Sequence, residues 1–402
     1  MKLAPDWLRD PEVQALCEAC ARCEIPIRFV GGAVRDTLLL REVADIDVAT
    51  PTPAIEVMHR LSAEGFTVVP TGFAHGTVSI VMQTRQFEIT TLRRDVETDG
   101  RHAVIAPTEA WEEDALRRDF TMNALYLSPD GELFDYTHGQ EDALAGCVRF
   151  IGDATTRISE DGLRILRFYR FLASHGEPPA DDEAHAACRT NADMLKIISG
   201  ERIAAEMKKL LAAHNPVYAL RQMEAAGIVA QIFPTSIRIP VFTRLMMIEH
   251  TAGVRASIWA RCAALLSVAS DSGDAVAQEL AIRWRLSNKE KKQLSLLLTI
   301  PRLKPTDGRY CHTRVIRLYG AALYQDVLLL SAAEGGAFDL APWRDLAVAF
   351  VPPVFPVSAQ DVMARGVSQN AALGEALTRL TDLWEQSDYQ LSREELLEQL
   401  GS

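Results

Sequence analysis

Residues 25–50 read IPIRFVGGAVRDTLLLREVADIDVAT, and the order of patterns in this stretch decides the architecture. IPIRFV (25–30) is a short apolar run with the character of a buried strand. It stops at Gly31-Gly32 and passes into AVRDTLLL, whose apolar residues recur at helical spacing. ADIDVAT (44–50) is strand-like again. A strand, a glycine turn, a helix and another strand open an α/β layer. The glycine pair lets backbone approach a phosphate closely, the helix start adds free N–H groups, and Arg35 lies one turn in. Alone, a Gly-Gly before a helix is more often just a tight turn. The spacing is neither G-x-G-x-x-G nor G-x-x-x-x-G-K-[ST], which removes the main support for dinucleotide folds and P-loop hydrolases.

Asp45 and Asp47 add the chemistry. A D-x-D on a strand turns both carboxylates to one face, a few ångströms apart. Two like charges there need a cation, and hard oxygen ligands suit Mg²⁺, which shares its shell with water and substrate phosphates. With a phosphate turn just upstream, the implied reaction is metal-assisted phosphoryl or nucleotidyl transfer. An isolated D-x-D is usually a solvated strand edge, but Ile46, Val48 and Ala49 point to a strand whose other face is buried.

Outward from this stretch, PAIEVMHRL (53–61) predicts a helix, FTVVP (66–70) a strand, and GTVSIVM with RQFEITTLR a hairpin. Residues 94–114 show neither helical nor strand period and read as a mobile loop. EVQALCEACARC, near the start, places Cys17, Cys20 and Cys23 at C-x-x-C-x-x-C spacing. That could seat part of an iron–sulfur cluster, but the simpler reading is a helix with buried cysteines. After residue 150 the patterns are helical: SEDGLRILRFYRFLA (159–173), ADDEAHAACRTNADMLKII, GERIAAEMKKLLAA, then further amphipathic periods to the end. The fold class expected is α+β, an α/β head at 1–148 followed by an all-helical neck at 149–220 and a helical body and tail at 221–402.

Composition sets outer limits. The 402 residues are 48% hydrophobic and 24% charged, a globular balance. Lys plus Arg number 42 against 54 Asp plus Glu, a formal net charge of −12, which excludes a general polycation. It does not exclude a nucleic-acid partner, because phosphate contacts depend on where cations cluster. Asp6, Arg9 and Asp10 interrupt any signal-peptide core, no later apolar run reaches a membrane span, and seven cysteines do not suggest a disulfide framework. A cytoplasmic protein with no membrane or protein partner is expected.

GGAVRD followed by DIDVAT resembles the first motif of the class II nucleotidyltransferases, the tRNA CCA-adding enzymes and bacterial poly(A) polymerases. FEITTLRRD (87–95), RRDFTMNAL (117–125), SEDGLRILRFYRF (159–171) and GERIAAEMKKLL (200–211) resemble later motifs in the same order, so the similarity covers roughly residues 25–235. The resemblance implies a polymerase-β-like head in which Asp45 and Asp47 hold Mg²⁺. It implies that Gly32, Arg35 and one of Arg117 and Arg118, with Arg118 favoured, contact the triphosphate. Asp161 and Arg164 would read the base, and Arg167 and Arg170 would line the same pocket. Glu88 is either a third carboxylate near the metal or a structural charge, and Asp119 is either functional or a salt-bridge partner. This chain departs from the family in having Arg41 where a Gly usually follows the apolar helix, and it shows no His-Asp phosphohydrolase pattern.

The base-reading pair also makes chemical sense by itself. Cytosine and adenine both present an amine donor beside a ring-nitrogen acceptor, so a carboxylate and a guanidinium admit C and A together and leave U and G unpaired. The competing interpretation of Asp161 and Arg164 is an ordinary i, i+3 ion pair on a helix surface. The expected function is addition of C, C and A to the tRNA 3′ end from CTP and ATP. A poly(A) polymerase is the rival, disfavoured because VVPTGFAHGTVSI lacks the basic G-[RK]-[RK]-F stretch of those enzymes. CC-adding, A-adding and non-catalytic RNA-binding relatives stay open, the last disfavoured by the intact carboxylates and base-reading pair.

Overall fold

A computed structural model describes residues 1–400 apart from 74–75, 99–102, 269–271, 336–338 and 370. The chain divides into two compact units, Met1–Phe233 and Pro234–Ser402. The first unit extends past residue 220, where the neck was expected to end, because α10 (Pro216–Ala225) packs on α7 (Leu163–His175) and α9 (Gly200–Ala212).

In chain order the first unit runs α1 (Pro11–Arg22), β1 (Arg28–Val30), α2 (Gly32–Leu38), β2 (Asp47–Thr50), α3 (Ala54–Ala63), β3 (Thr67–Gly72), β4 (Thr77–Val81) and β5 (Gln86–Thr91). It continues through β6 (Arg93–Thr98), β7 (Ala103–Pro107), α4 (Trp111–Leu116), β8 (Leu125–Leu127), β9 (Leu133–Asp135) and α5 (Gly139–Ala145). The helices α6 (Ala154–Glu160), α7, α8 (Asp182–Thr190), α9, α10 and α11 (Ile228–Ile232) complete it. The main sheet has the order β3-β4-β5-β2-β1-β8-β9, and only the β2–β5 pairing is parallel. One face is closed by a large apolar cluster in which Val13, Leu16, Val57 and Leu61 of α1 and α3 meet Phe29, Val48 and Ile89 of the strands. The opposite face carries a smaller cluster of Val30, Ala49, Ala115 and Tyr126. Alternate residues of β2 serve the two faces, which is why DIDVAT is apolar after its carboxylates.

Three sequence expectations change. Residues 94–114 are not a structureless loop: β6 and β7 pair as an antiparallel hairpin and α4 follows. A register shift between Asp95 and Glu97 breaks the alternation that would have revealed the strand. The helix expected over 159–173 is two helices, because Asp161 is extended at φ −154° and ψ 106° and starts α7 anew. The run at 180–198 is α8 plus a separate 3₁₀ turn at Ala192–Ile197. The two three-residue strands β8 and β9 are too short to carry a period. Cys20 lies in the apolar cluster, which pushes its thiol up to about 12, so the buried-helix reading of that motif holds. The departure placed at Arg41 resolves one residue earlier, where Leu40 takes the left-handed conformation (φ 55°) that favours glycine.

The second unit is helical: α12 (Ile239–Ala252), α13 (Ile258–Leu265), α14 (Gly273–Trp284), α15 (Asn288–Thr299), α16 (Arg309–Gly335), α17 (Ala341–Ala349), α18 (Ala359–Ala364), α19 (Ala371–Gln386) and α20 (Arg393–Glu398). The segment α16 has the length and apolar composition of a membrane span, but it is broken at Gly320 (φ 83°, ψ 162°), more than half of its apolar stretch is buried, and Arg317 is ion-paired with Glu385, as in core helices. His312 on α16 is fully buried, stacked 3.5 Å from Trp343, with Nδ1 2.8 Å from the Tyr324 hydroxyl. Burial holds its pKa at about 4. The folded state therefore keeps His312 neutral while the unfolded chain protonates near pH 6.5, so stability is full above that pH and is lost as pH falls toward 4. The loss is of order 3 kcal/mol. Denaturation of wild type and His312→Phe between pH 7.5 and 4 should show the variant gaining on wild type by about that amount. A constant difference across the range would refute the assignment.

Candidate active site

The site lies where β1 ends. Gly31 has φ 73°, its N–H donates to Leu125 O, and its carbonyl accepts from Arg35 N at 3.0 Å. The helix α2 that follows spans only seven residues, so its dipole contributes little. Positive charge comes from side chains instead. A Cβ at Gly31 would lie 3.8 Å from Arg118 Nη1, and one at Gly32 would lie 3.7 Å from Arg35 Nη2. Two guanidinium groups flank the glycine pair.

Asp47 opens β2, and Asp45 precedes the strand with Ile46 buried between them. Register places Asp47 opposite Glu88 on β5 and Val30 on β1, and Val30 opposite Tyr126 on β8. Glu88, Asp47, Val30 and Tyr126 thus form one row across one face of the sheet. Desolvation by the neighbouring strands raises the pKa of Asp47, Glu88 and Asp45 add to the rise, and Arg118 opposes it. A carboxylate unsettled by its neighbours is the electrostatic signature of a cation site. Among the described residues no three His, Cys, Asp or Glu side chains gather closely enough to hold a metal by themselves. Two carboxylates with the remaining positions left to water and phosphate fit Mg²⁺, and Glu88, opposite Asp47 on the same face, stands beside them as a third carboxylate or a structural charge.

The arginines are held by carboxylates that sequence reasoning passed over. Asp114 is 1% exposed, accepts from Arg117 Nε and Nη2 at 2.8 and 2.6 Å, from Arg118 Nη2 at 3.0 Å and from the Tyr126 hydroxyl at 2.7 Å. Despite its burial, the two guanidinium groups and the tyrosine hold its pKa down at about 2. Arg117 spends Nε also on Arg93 O, whereas Arg118 keeps Nη1 toward the glycine turn, which favours Arg118 of the pair. Arg35 is buried, with Nε and Nη2 on Asp36 at 2.9 and 3.0 Å and Nη1 on Asn123 at 2.6 Å. The E-D-A-L-R-R spacing of Asp114 to Arg117 and Arg118 was the available signal. No local signal pointed to Asn123.

Just before α7, Asp161 accepts from Leu163 N at 3.1 Å and pairs with Arg202 at 2.6 Å. Arg164 instead pairs with Glu160 and donates to Arg157 O at 2.6 Å, so the surface Asp161–Arg164 pair does not form. Arg167 donates Nε to Asp119 at 2.7 Å, which gives Asp119 its salt bridge, and Arg170 donates Nε to Glu206 at 2.5 Å. Asp119 also accepts from Asn123 Nδ2 at 3.2 Å, so the chain Arg35, Asn123, Asp119, Arg167 is continuous.

Comparison with known proteins gives the relatives of the chain. The family described as Poly A polymerase head domain matches residues 27–149, and the one described as probable RNA and SrmB-binding site of polymerase A matches 181–237. The mouse mitochondrial CCA tRNA nucleotidyltransferase 1 is 32% identical over 97% of this chain and 92% of its own length. The chain belongs to the CCA tRNA nucleotidyltransferase family. Within that family, the Geobacillus thermodenitrificans CCA-adding enzyme is 39% identical over 50% of this chain and 49% of its own. The solved Bacillus stearothermophilus CCA-adding enzyme, in complex with CTP, aligns over 97% of both chains with a TM-score of 0.75 and 25% identity. The Thermotoga maritima CCA-adding enzyme complexed with tRNA, at 19% identity and TM-score 0.64, shares the fold. The expected α+β class, an α/β head followed by helices, is the fold of this CCA tRNA nucleotidyltransferase family member.

Proposed function

We propose that this chain adds C, C and A in succession to the 3′ end of tRNA, using CTP and ATP and releasing pyrophosphate. The observation that carries the reading is the single sheet face on which Asp47 and its neighbour Asp45 stand beside a glycine turn flanked by Arg35 and Arg118. Asp45 and Asp47 hold Mg²⁺, which when bound supplies Lewis-acid stabilisation of the charge that develops as the tRNA hydroxyl attacks the α-phosphate. Arg118, with Gly32 and Arg35, receives the triphosphate. Arg167 and Arg170, fixed by Asp119 and Glu206, line the nucleotide pocket. In this proposal catalysis belongs to 1–148, base reading to the helices that complete the first unit, up to Phe233, and tRNA contacts to the second unit from Pro234. Reduced cysteines buried in both units, such as Cys20 and Cys262, support a cytoplasmic or similarly reducing location, whereas the mouse and human relatives are named mitochondrial.

Incorporation of labelled CTP into tRNA trimmed of its terminus tests the reading. The match to a poly(A) polymerase head keeps that rival in view. Processive use of ATP on any RNA, without CTP incorporation, would transfer the case to it.

Asp161 and Arg164 read the base in this proposal. Each has capacity left after its protein partner, since a carboxylate has about four acceptor sites and a guanidinium five N–H donors. Removing either leaves its partner unpaired at the base. Asp161→Ala should lower kcat/KM for CTP and ATP by about one to two decades and narrow their advantage over UTP and GTP. Steady-state kinetics with all four nucleotides decides it, and an unchanged selectivity ratio would place base choice elsewhere.

A further inference from the structure

Arg35 and Asp36 are consecutive on α2, yet Asp36 clamps Arg35 through both carboxylate oxygens. Neighbouring residues on a helix point about 100° apart and do not face each other. Something must hold the Asp36 carboxylate turned back, because it is 22% exposed and water competes for it. His175, the last residue of α7, does this: its Nε2 lies 3.1 Å from Asp36 Oδ1. An ionised Asp36 can only accept, so the ring proton that makes this contact is on Nε2, while Nδ1 lies 2.7 Å from the Ser174 hydroxyl. The ring is 11% exposed. A second contact joins the same two segments: Arg41 Nη1 donates to Ser174 O at 2.7 Å, placing a cation at the C-terminal end of α7.

We propose that His175 is a positioning residue for nucleotide binding: by holding Asp36 it fixes the Arg35 guanidinium beside the glycine pair. The inference rests on the reading of Gly32 and Arg35 as the triphosphate end of the site. Without His175, Asp36 rotates toward solvent and Arg35 keeps the Asn123 hydrogen bond and the face of the Phe171 ring, 5.3 Å away, but loses its bidentate carboxylate. Because α7 also carries Arg164, Arg167 and Arg170, the same link ties the phosphate end of the nucleotide to the helix that lines its base.

The test is kinetic, with binding as a second readout. His175→Phe removes the polar link and keeps a ring of similar size, and His175→Gln retains an N–H that reaches Asp36. His175→Phe should raise KM for CTP and ATP alike by about five- to tenfold and leave kcat and the tRNA KM within about twofold. His175→Gln should return KM to near wild type. A non-hydrolysable CTP analogue titrated calorimetrically should weaken in parallel. In an Arg35→Ala background, His175→Phe should add less than about twofold, since the residue acts through Arg35. Asp36→Asn, which weakens the link from its other side, should give the same KM signature and keeps the test available if the phenylalanine variant loses its fold. Unchanged KM in His175→Phe, a fall in kcat alone, or full additivity with Arg35→Ala would overturn the proposal. An unchanged KM in Arg35→Ala itself would instead remove the triphosphate reading of Arg35, and the role of His175 with it.

Discussion

Asp45→Ala or Asp47→Ala should lower incorporation of CTP and ATP by about a thousandfold or more. Both residues are exposed, and among the described residues Asp47 makes no ion pair that holds the fold, so the loss should not come from unfolding. The direction of the Asp47 pKa shift sharpens this. Desolvation of the carboxylate by the neighbouring strands, Glu88 and Asp45 all disfavour its charge, so removing that charge relieves repulsion in the metal-free protein. The melting temperature should hold or rise while Mn²⁺ binding, measured by calorimetry as a stand-in for Mg²⁺, is lost. tRNA binding in a gel shift should persist. Substantial residual incorporation at saturating Mg²⁺ would take the pair out of the catalytic role, and a large fall in melting temperature would make it structural.

Asp114→Ala should be the most destabilising change in the head. The carboxylate is buried and satisfies Arg117, Arg118 and the Tyr126 hydroxyl together, so its removal leaves two guanidinium groups and a phenol without their shared acceptor. Breaking a buried ion pair from one side costs about 3–5 kcal/mol. Denaturant unfolding should show that loss, with a larger KM for both nucleotides because Arg118 no longer aims Nη1 at the glycine turn. The pH dependence has a definite sign. The folded pKa of about 2 lies below the unfolded value near 3.9, so the contribution is complete above pH 4 and disappears as pH falls through 2. A destabilisation under about 1 kcal/mol would mean that water replaces the carboxylate at little cost.

Much of the site was legible because its residues are local in sequence and their types are chemically narrow. The D-x-D on a short strand, the glycine pair before a helix and the ordered arginines of α7 are patterns that backbone periodicity converts directly into a shared face. The hairpin at 93–107 was not legible, since a bulge breaks the period that reading depends on. Nor was the break at Asp161, because helical spacing continues across it. Close approach of residue 162 to Met194, 2.9 Å from where a Cβ would stand, makes Gly162 fit there.

By itself the sequence determined the α/β head, the helical remainder, the face that carries Asp45 and Asp47, and the nucleotidyltransferase family to which the chain belongs. Tertiary structure alone decided which partner each arginine takes. Arg164 chose Glu160 over Asp161, Arg167 reached Asp119, and His175 closed on Asp36 139 positions away. The physical reason is that periodicity encodes the direction of a side chain from its own backbone, whereas an ion pair depends on distance in three dimensions. Several carboxylates lay within reach of each arginine along the chain, and only the packing of α2, α4, α7 and α9 selected among them.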